Sequence, residues 1–109
     1  MLLNDKPSIF AGKVYEIVRT IPRGRVTSYQ HVARALGIRS SQAVGQALKR
    51  NPYAPEVPCH RVIKSSGEIG GFFGAAAGAL IDKKVALLQS EGVEVSEGKI
   101  DMSKYCHAW

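Results

Sequence analysis

The residues best suited to covalent chemistry in this chain are Cys59 and His60, which follow one another directly. A cysteine attacks as its thiolate and needs a base or a positive field nearby, which His60 and Arg61 could supply. Adjacent side chains of an extended segment point apart, so we expect His60 to take the thiol proton through a bridging water. A carboxylate on the other ring nitrogen would fix the tautomer, and Glu91 is one of several candidates. The alternative is a buried, unreactive Cys–His pair.

Positive charge is concentrated around this pair, in the middle of the sequence. The 109 residues carry a net charge of +6, which favours a polyanionic partner. Acidic residues instead crowd the C-terminal end, so we expect one face of the middle segment to be electropositive. The basic residues of that segment are Arg19, Arg23, Arg25, Arg34, Arg39, Lys49, Arg50, Arg61 and Lys64.

Length and composition predict one ordinary globular domain, 1–109. Cys59 and Cys106 make no disulfide framework, and without a Cys-x-x-Cys pair they predict no metal site. The apolar stretch 72–81 is too short to span a bilayer, and residues 1–7 lack the pattern of a signal peptide. We expect an intracellular protein, cytoplasmic or, in a eukaryote, nuclear, that needs no metal or cofactor.

The elements that must position these residues are mostly helical. Apolar spacing and capping residues predict helices from Phe10 to Ile21, from Ser28 to Gly37, from Ser40 or Ser41 to Asn51, and from Leu80 to Gly92. A short strand is expected at 60–63 and a small hairpin at 93–101. The glycines around Phe72 and Phe73 predict a mobile loop with two aromatic faces.

The second and third helices have the outline of a helix-turn-helix, because a tight turn containing Gly37 joins them. The third helix carries small residues, among them Ala43 and Gly45, beside Gln42, and it ends in basic residues. Such a slim helix could lie against a DNA groove and its phosphates. Equally, the small residues could simply permit close packing of helices, and the pattern leaves both interpretations open.

An ordered series of motifs surrounds Cys59. The series is Ile21-Pro22-x-Gly24-x-Val26-x-Ser28-Tyr29, Ala43-Val44-Gly45-x-Ala47, Asn51-Pro52, Pro58-Cys59-His60-Arg61-Val62-Ile63 and Ser66-Gly67. Between about Val14 and Gly92 it resembles the O6-alkylguanine-DNA alkyltransferases in order and nearly in spacing. The resemblance implies a mostly α fold with small β elements, a winged helix-turn-helix-like DNA-binding domain that carries the active-site cysteine. It also implies that the domain most members carry on the N-terminal side is absent.

The activity that the resemblance implies is direct DNA repair. The alkyl group of O6-alkylguanine in double-stranded DNA would move irreversibly and once to Cys59, which makes the protein a methylated-DNA–protein-cysteine methyltransferase. His60 matches the water-linked base, Glu91 the carboxylate that orients it, and Asn51 the residue that braces the active-site turn. The implied partner is duplex DNA bound through its minor groove by a monomer, with the damaged base flipped out.

The resemblance also assigns residues that hold the damaged base. Tyr29 matches a tyrosine near the DNA phosphate and the flipped guanine, and Phe72 falls where the family has a tyrosine that stacks on the base. Phe73 and Gly74 continue this substrate loop, but Phe73 replaces the family's serine. An apparent insertion at 75–79 lengthens the loop.

The DNA-binding residues implied by the resemblance lie mainly on the third helix and the turn before it. They are Gln42, Ala43, Gly45, Arg39 and Arg61. Gln42 occupies the position of the family's intercalating arginine, so either Arg39 replaces that arginine or Gln42 fills the gap itself.

Two other classes of function compete with alkyl transfer. One is a non-catalytic sensor, like the alkyltransferase-like proteins that bind alkylguanine and recruit excision repair; those proteins replace the reactive cysteine, whereas Cys59 is present here. The other is a helix-turn-helix regulator that uses Cys59 as a redox or alkylation sensor. Transfer of a methyl group to the peptide containing Cys59 would separate the first hypothesis from both alternatives.

Overall fold

The structure is a computed structural model that describes residues 8–109. The interpretation of residues 1–7 as lacking a signal peptide therefore lies outside the described part. In chain order the elements are α1 Ile9–Val18, β1 Thr27–Ser28, α2 Tyr29–Ala35, α3 Ser41–Lys49, a 3-10 helix Cys59–Arg61, β2 Val62–Ile63, α4 Ala79–Ser90 and α5 Met102–Tyr105. This architecture confirms the expected mostly helical fold with small β elements.

Serine caps set where the first three helices begin. The hydroxyl of Ser28 accepts a hydrogen bond from the N–H of His31, and that of Ser40 accepts one from Ala43, each at 3.0 Å. Gly37 and Gly92, both at positive φ, follow α2 and α4 as expected. Helix α1 ends earlier than predicted, at Val18, because the chain then tightens into a turn that leads to Pro22.

Helices α1, α2 and α3 pack on one another around an apolar centre. Tyr15 on α1 adds a polar link, since its hydroxyl donates to the carbonyl of Ala47 on α3 at 2.7 Å. The fully buried side chains at this centre include Val14, Val18, Val32 and Val44. This packing holds α3 with its polar face, which includes Gln42, in solvent.

Strands β1 and β2 pair in parallel, with Thr27 opposite Val62 and Ser28 opposite Ile63. The pairing brings the segment that follows Cys59 next to the start of α2. The predicted strand at 60–63 is correct only for its second half, because residues 59–61 form a tight 3-10 turn after Pro58.

A C-terminal segment that the sequence did not reveal completes the sheet edge. The N–H of Val26 donates to Tyr105 at 3.0 Å, and the N–H of His107 donates back to Val26 at 2.6 Å. The predicted hairpin is present as a turn at Ser96 to Lys99, whose backbones exchange two hydrogen bonds. Within residues 8–109, no helix has both the length and the apolar character needed to cross a membrane.

Candidate active site

Cys59 lies in the first turn of the 3-10 helix, where the chain leaves the connector 52–58. Its N–H donates to the carbonyl of Val57 at 2.8 Å, and the residue is only 6% exposed. The thiol opens onto a cavity of about 140 Å³. The cavity is lined by Tyr29, Gly45, Leu48, Lys49, Cys59, Gly71, Phe72, Phe73 and Gly74. The structure thus brings the cysteine together with the predicted substrate-binding residues.

His60 and Arg61 both turn toward Glu91, the C-cap residue of α4. His60 Nε2 lies 3.0 Å from Glu91 Oε2, while Arg61 Nη2 and Nε donate to Oε2 and Oε1 at 2.7 and 2.9 Å. The side chains of His60 and Glu91 are only 4% and 8% exposed. Among the candidate carboxylates, the fold therefore selects Glu91, which the spacing alone left open.

The ionisation of Glu91 fixes which nitrogen of His60 acts as the base. Burial raises the pKa of Glu91, but hydrogen bonds from Arg61 and His60 outweigh it and hold the pKa below its ordinary value. A carboxylate can only accept, so Nε2 of His60 carries the proton and Nδ1 keeps the lone pair. Burial lowers the pKa of His60 against the opposing effect of Glu91, so the ring is neutral at pH 7.

The thiol of Cys59 is protonated at rest. Burial raises its pKa, while a hydrogen bond from the Asn51 side chain and the charge of Lys84 oppose that rise. Asn51 itself is buried, its Nδ2 donates to Val57 at 2.9 Å, and its Oδ1 accepts from the N–H of Tyr53. These two hydrogen bonds tie the Asn51 side chain to the connector that precedes Cys59.

Lys84 is a residue that sequence reasoning missed. A lysine on an amphipathic helix is usually solvated, yet Lys84 is fully buried, and its Nζ donates to three backbone carbonyls. Burial lowers its pKa to about 7, against the attraction of Cys59. Its spacing from Ile81 and Leu88 put it on the apolar face of α4, and that signal could have identified it.

The substrate loop closes one side of the cavity. Phe72 is buried and Phe73 half-buried, with ring centroids 4.5 Å apart. The backbones of Phe72 and Ala75 exchange two hydrogen bonds of 3.0 Å across a turn in which Phe73 has φ 50° and Gly74 has φ 83°. The loop is thus a tight turn that holds a bulky residue in the left-handed region, an unusual conformation.

Tyr29, another residue that lines the cavity, begins α2 and is half-buried. Burial and the nearby Cys59 raise the pKa of its phenol, which stays protonated and can donate a hydrogen bond into the cavity. Gly45 on α3 lies beside the ring, and a Cβ placed there would make an ordinary contact with Tyr29 Cδ1 at 4.0 Å.

The residues predicted to bind DNA divide into two groups. Gln42 and Arg39 are exposed at the start of α3, with Ala43 and Gly45 half-buried behind them. Arg61 is different and requires a correction. Its guanidinium is directed inward to Glu91 and to the carbonyl of Ile21, at 2.9 Å, so the geometry argues against the expected DNA contact. The sequence could not show that the tertiary fold gives Arg61 a carboxylate partner.

Comparison with known proteins identifies a matching family. The sequence matches the family described as 6-O-methylguanine DNA methyltransferase, DNA binding domain, over residues 9–93. A methylated-DNA–protein-cysteine methyltransferase of Saccharolobus islandicus is 41% identical over 95 residues, which are 87% of this chain and 58% of that protein.

Two solved structures extend the comparison. The O6-methylguanine-DNA methyltransferase of Pyrococcus kodakaraensis strain KOD1 is 44% identical with a TM-score of 0.68, over 79% of this chain and 47% of that one. S. pombe Atl1, solved with damaged DNA containing O6-carboxymethylguanine, is 32% identical with a TM-score of 0.78, over 100% and 98% of the two chains.

The two methyltransferases are longer than this chain, which spans only about half of their length. The matched part nevertheless contains the cavity, Cys59 and the residues that contact it. The chain therefore belongs to the family of the 6-O-methylguanine DNA methyltransferase DNA-binding domain.

Proposed function

We propose that this protein repairs duplex DNA by moving the alkyl group of O6-alkylguanine to the sulfur of Cys59, once per molecule. The observation that carries the proposal is the placement of a buried thiol at a cavity, beside a histidine whose tautomer is fixed by Glu91. The family membership supplies the substrate class. Because it would act on DNA, the protein would be found in the compartment that contains the DNA, the cytoplasm of a prokaryote or the nucleus of a eukaryote.

The first chemical step is loss of the thiol proton. Nδ1 of His60 is the free base, and a bridging water would carry the proton to it from Sγ of Cys59. Glu91 then stabilises the imidazolium through the hydrogen bond at Nε2, and Arg61 keeps Glu91 ionised and in place.

The second step is transfer. Sγ attacks the alkyl carbon, the bond from that carbon to O6 breaks, and its electron pair leaves with the guanine. The departing base takes up one proton, so the net reaction moves the thiol proton to guanine and leaves a thioether on Cys59. The phenol of Tyr29 can donate a hydrogen bond to the departing base. Because nothing in this site breaks a thioether, the reaction does not turn over.

Recognition of the substrate requires the base to leave the stack, at a cost of about a few kcal/mol that is least for a badly paired lesion. Stacking against Phe72 would recover part of that, since contact with an aromatic face contributes roughly 1–3 kcal/mol per base. Gln42 and Arg39 are both exposed at the start of α3. We propose that they face the gap that the flipped base leaves in the DNA.

The test is a mass measurement after mixing the protein with a duplex that contains O6-methylguanine. We expect a gain of one methyl group on the peptide with Cys59, its loss in Cys59→Ala, and its retention in Cys106→Ala, the matched control for the other free cysteine. Preferential binding of the damaged duplex with no mass change would overturn transfer and favour the sensor. Sequence-dependent binding that ignores the damage would favour the regulator.

A further inference from the structure

We propose that Lys84 is a positioning residue that sets the shape of the alkylguanine pocket by holding three backbone carbonyls. The inference rests on the proposed function, because the pocket it describes is the one that opens onto Cys59.

The three carbonyls belong to two segments next to pocket residues, and Gly71 itself lines the pocket. Nζ of Lys84 donates to Val62 at 2.9 Å, to Ile69 at 2.7 Å and to Gly71 at 3.0 Å. Val62 begins the strand that directly follows the Cys59 turn, and Gly71 directly precedes Phe72. One ammonium therefore joins the segment that carries the thiol to the segment that carries the aromatic wall.

The charged form of Lys84 has three N–H donors for three acceptors, so the three carbonyls favour the ammonium against the burial that lowers its pKa to about 7. Within the described residues, none of the salt bridges includes Lys84, so backbone dipoles rather than a carboxylate satisfy its charge. Its Nζ also lies 6.0 Å from the centroid of Phe72. An apolar residue would fill the volume but would leave three carbonyls without this donor.

Stability alone gives a weak reason for a lysine here. A buried charge is expensive to desolvate, and well-packed apolar residues often replace such groups without loss of stability. The geometric consequence is stronger, because the hydrogen bonds to Ile69 and Gly71 fix the start of the loop that carries Phe72 and Phe73. Misplacement of a reacting group by about 1 Å can cost about 100-fold in rate.

The experiment compares Lys84→Met with Lys83→Met, which removes the exposed neighbouring lysine of the same helix. Three quantities are measured: the single-turnover transfer rate at saturating O6-methylguanine duplex, the Kd for undamaged duplex, and the rate at which iodoacetamide modifies Cys59. Thermal unfolding shows what fraction of each variant is folded. Lys84→Gln, which keeps two donors, serves if Lys84→Met does not fold.

We expect Lys84→Met to lower the saturated transfer rate by about 100-fold. The Kd should stay within about threefold, because Lys84 lies away from solvent. The rate at which iodoacetamide modifies Cys59 should fall by less than about tenfold, which is the effect of raising the thiol pKa by about one unit. Lys83→Met should behave as wild type, and Lys84→Gln should fall between Lys84→Met and wild type.

Two results would overturn the inference. Equal losses in transfer and in iodoacetamide reaction would mean that Lys84 acts only through the charge of the thiol. Unchanged transfer in folded Lys84→Met would mean that the three hydrogen bonds do not shape the pocket. Absence of transfer in the wild-type protein would instead refute the proposed function, and with it the role of Lys84 in an alkylguanine pocket.

Discussion

Replacing Glu91 by glutamine tests the proposed proton relay from Cys59 to His60 most directly. One carboxylate accepts hydrogen bonds from both His60 and Arg61. Its oxygens accept from Arg61 at 2.7 and 2.9 Å, and one of them also accepts from His60 at 3.0 Å. Glu91→Gln keeps the shape but removes the charge and adds two N–H donors. An amide N–H that faces His60 would turn Nε2 into the acceptor and would move the ring proton to Nδ1, the nitrogen proposed as the base.

The expected losses can be estimated from this geometry. Removing one partner of a buried ion pair costs about 3–5 kcal/mol. Arg61 keeps a side-chain exposure of 15% and its bond to Ile21, so we expect the lower end of that range. For a domain of this size, ~3 kcal/mol lowers Tm by about 12 °C or more. General-base catalysis is typically about 100-fold or more, so transfer should slow by at least about that factor.

The pKa shift of Glu91 also predicts how its contribution to stability changes with pH. The folded-state pKa of Glu91 lies below its ordinary value of 4.5, so its ion pair stabilises the fold above pH 4.5. That contribution is lost as the pH falls through the lowered pKa. The gap in Tm between wild type and Glu91→Gln should therefore be widest near neutral pH and should narrow in acid.

The assay is the single-turnover transfer rate from an O6-methylguanine duplex, measured with Tm over a range of pH. Glu94→Gln is the control, because Glu94 is 80% exposed and forms an exposed ion pair with Lys104, at 3.5 Å, that contributes little to stability. When the pH exceeds the pKa of the Cys59 thiol, the thiolate forms without a base. The loss of transfer rate in Glu91→Gln should then shrink. A wild-type transfer rate at neutral pH in a folded Glu91→Gln protein would refute the relay.

Two further predictions follow from burial and from backbone geometry. Because burial raises the pKa of Cys59, its reaction with iodoacetamide should still be rising at pH 9 in the free protein; a plateau near neutral pH, measured in Cys106→Ala to isolate the one thiol, would contradict this. Gly67→Ala should destabilise the fold by about 3 kcal/mol, because φ is 92° and the new Cβ would lie 2.6 Å from the carbonyl oxygen of Ile100. Gly98→Ala, at φ 74° with open space around it, should cost only about 1 kcal/mol, and equal losses in chemical denaturation would refute the steric argument.

Local signals in the sequence were enough to predict the four longer helices, although α1 ends earlier than expected. The caps at Ser28 and Ser40 and the glycine stops depend on hydrogen bonds and φ angles within a few residues, so they can be read without the fold. The same holds for the turn at Ser96 to Lys99, although α5 and its pairing with Val26 depend on distant contacts that no local pattern contains.

The parts of the candidate site covered by an ordered series of motifs could be predicted from the sequence. The direction in which a single basic side chain points could not. Cys59 and the cavity residues lie together as expected. Arg61 was expected to contact DNA, and Lys84 was not among the predicted site residues, since basic side chains usually prefer water. Each is instead directed inward by partners far away in sequence, a carboxylate at Glu91 in one case and backbone carbonyls in the other.

The resting electrostatics suit the single reaction proposed for Cys59. Burial raises the pKa of Cys59 and lowers that of His60, so both shifts keep the proton on sulfur. A persistent thiolate would be open to oxidation and to stray electrophiles, and a molecule consumed by any such event could not be regenerated. A neutral pair beside an ionised Glu91 avoids this, because the relay is oriented but the nucleophile forms only as the proton leaves. The substrate in the pocket supplies the electrophilic carbon at that moment, so selectivity comes from placement by the loop and by Tyr29 rather than from a highly reactive thiol.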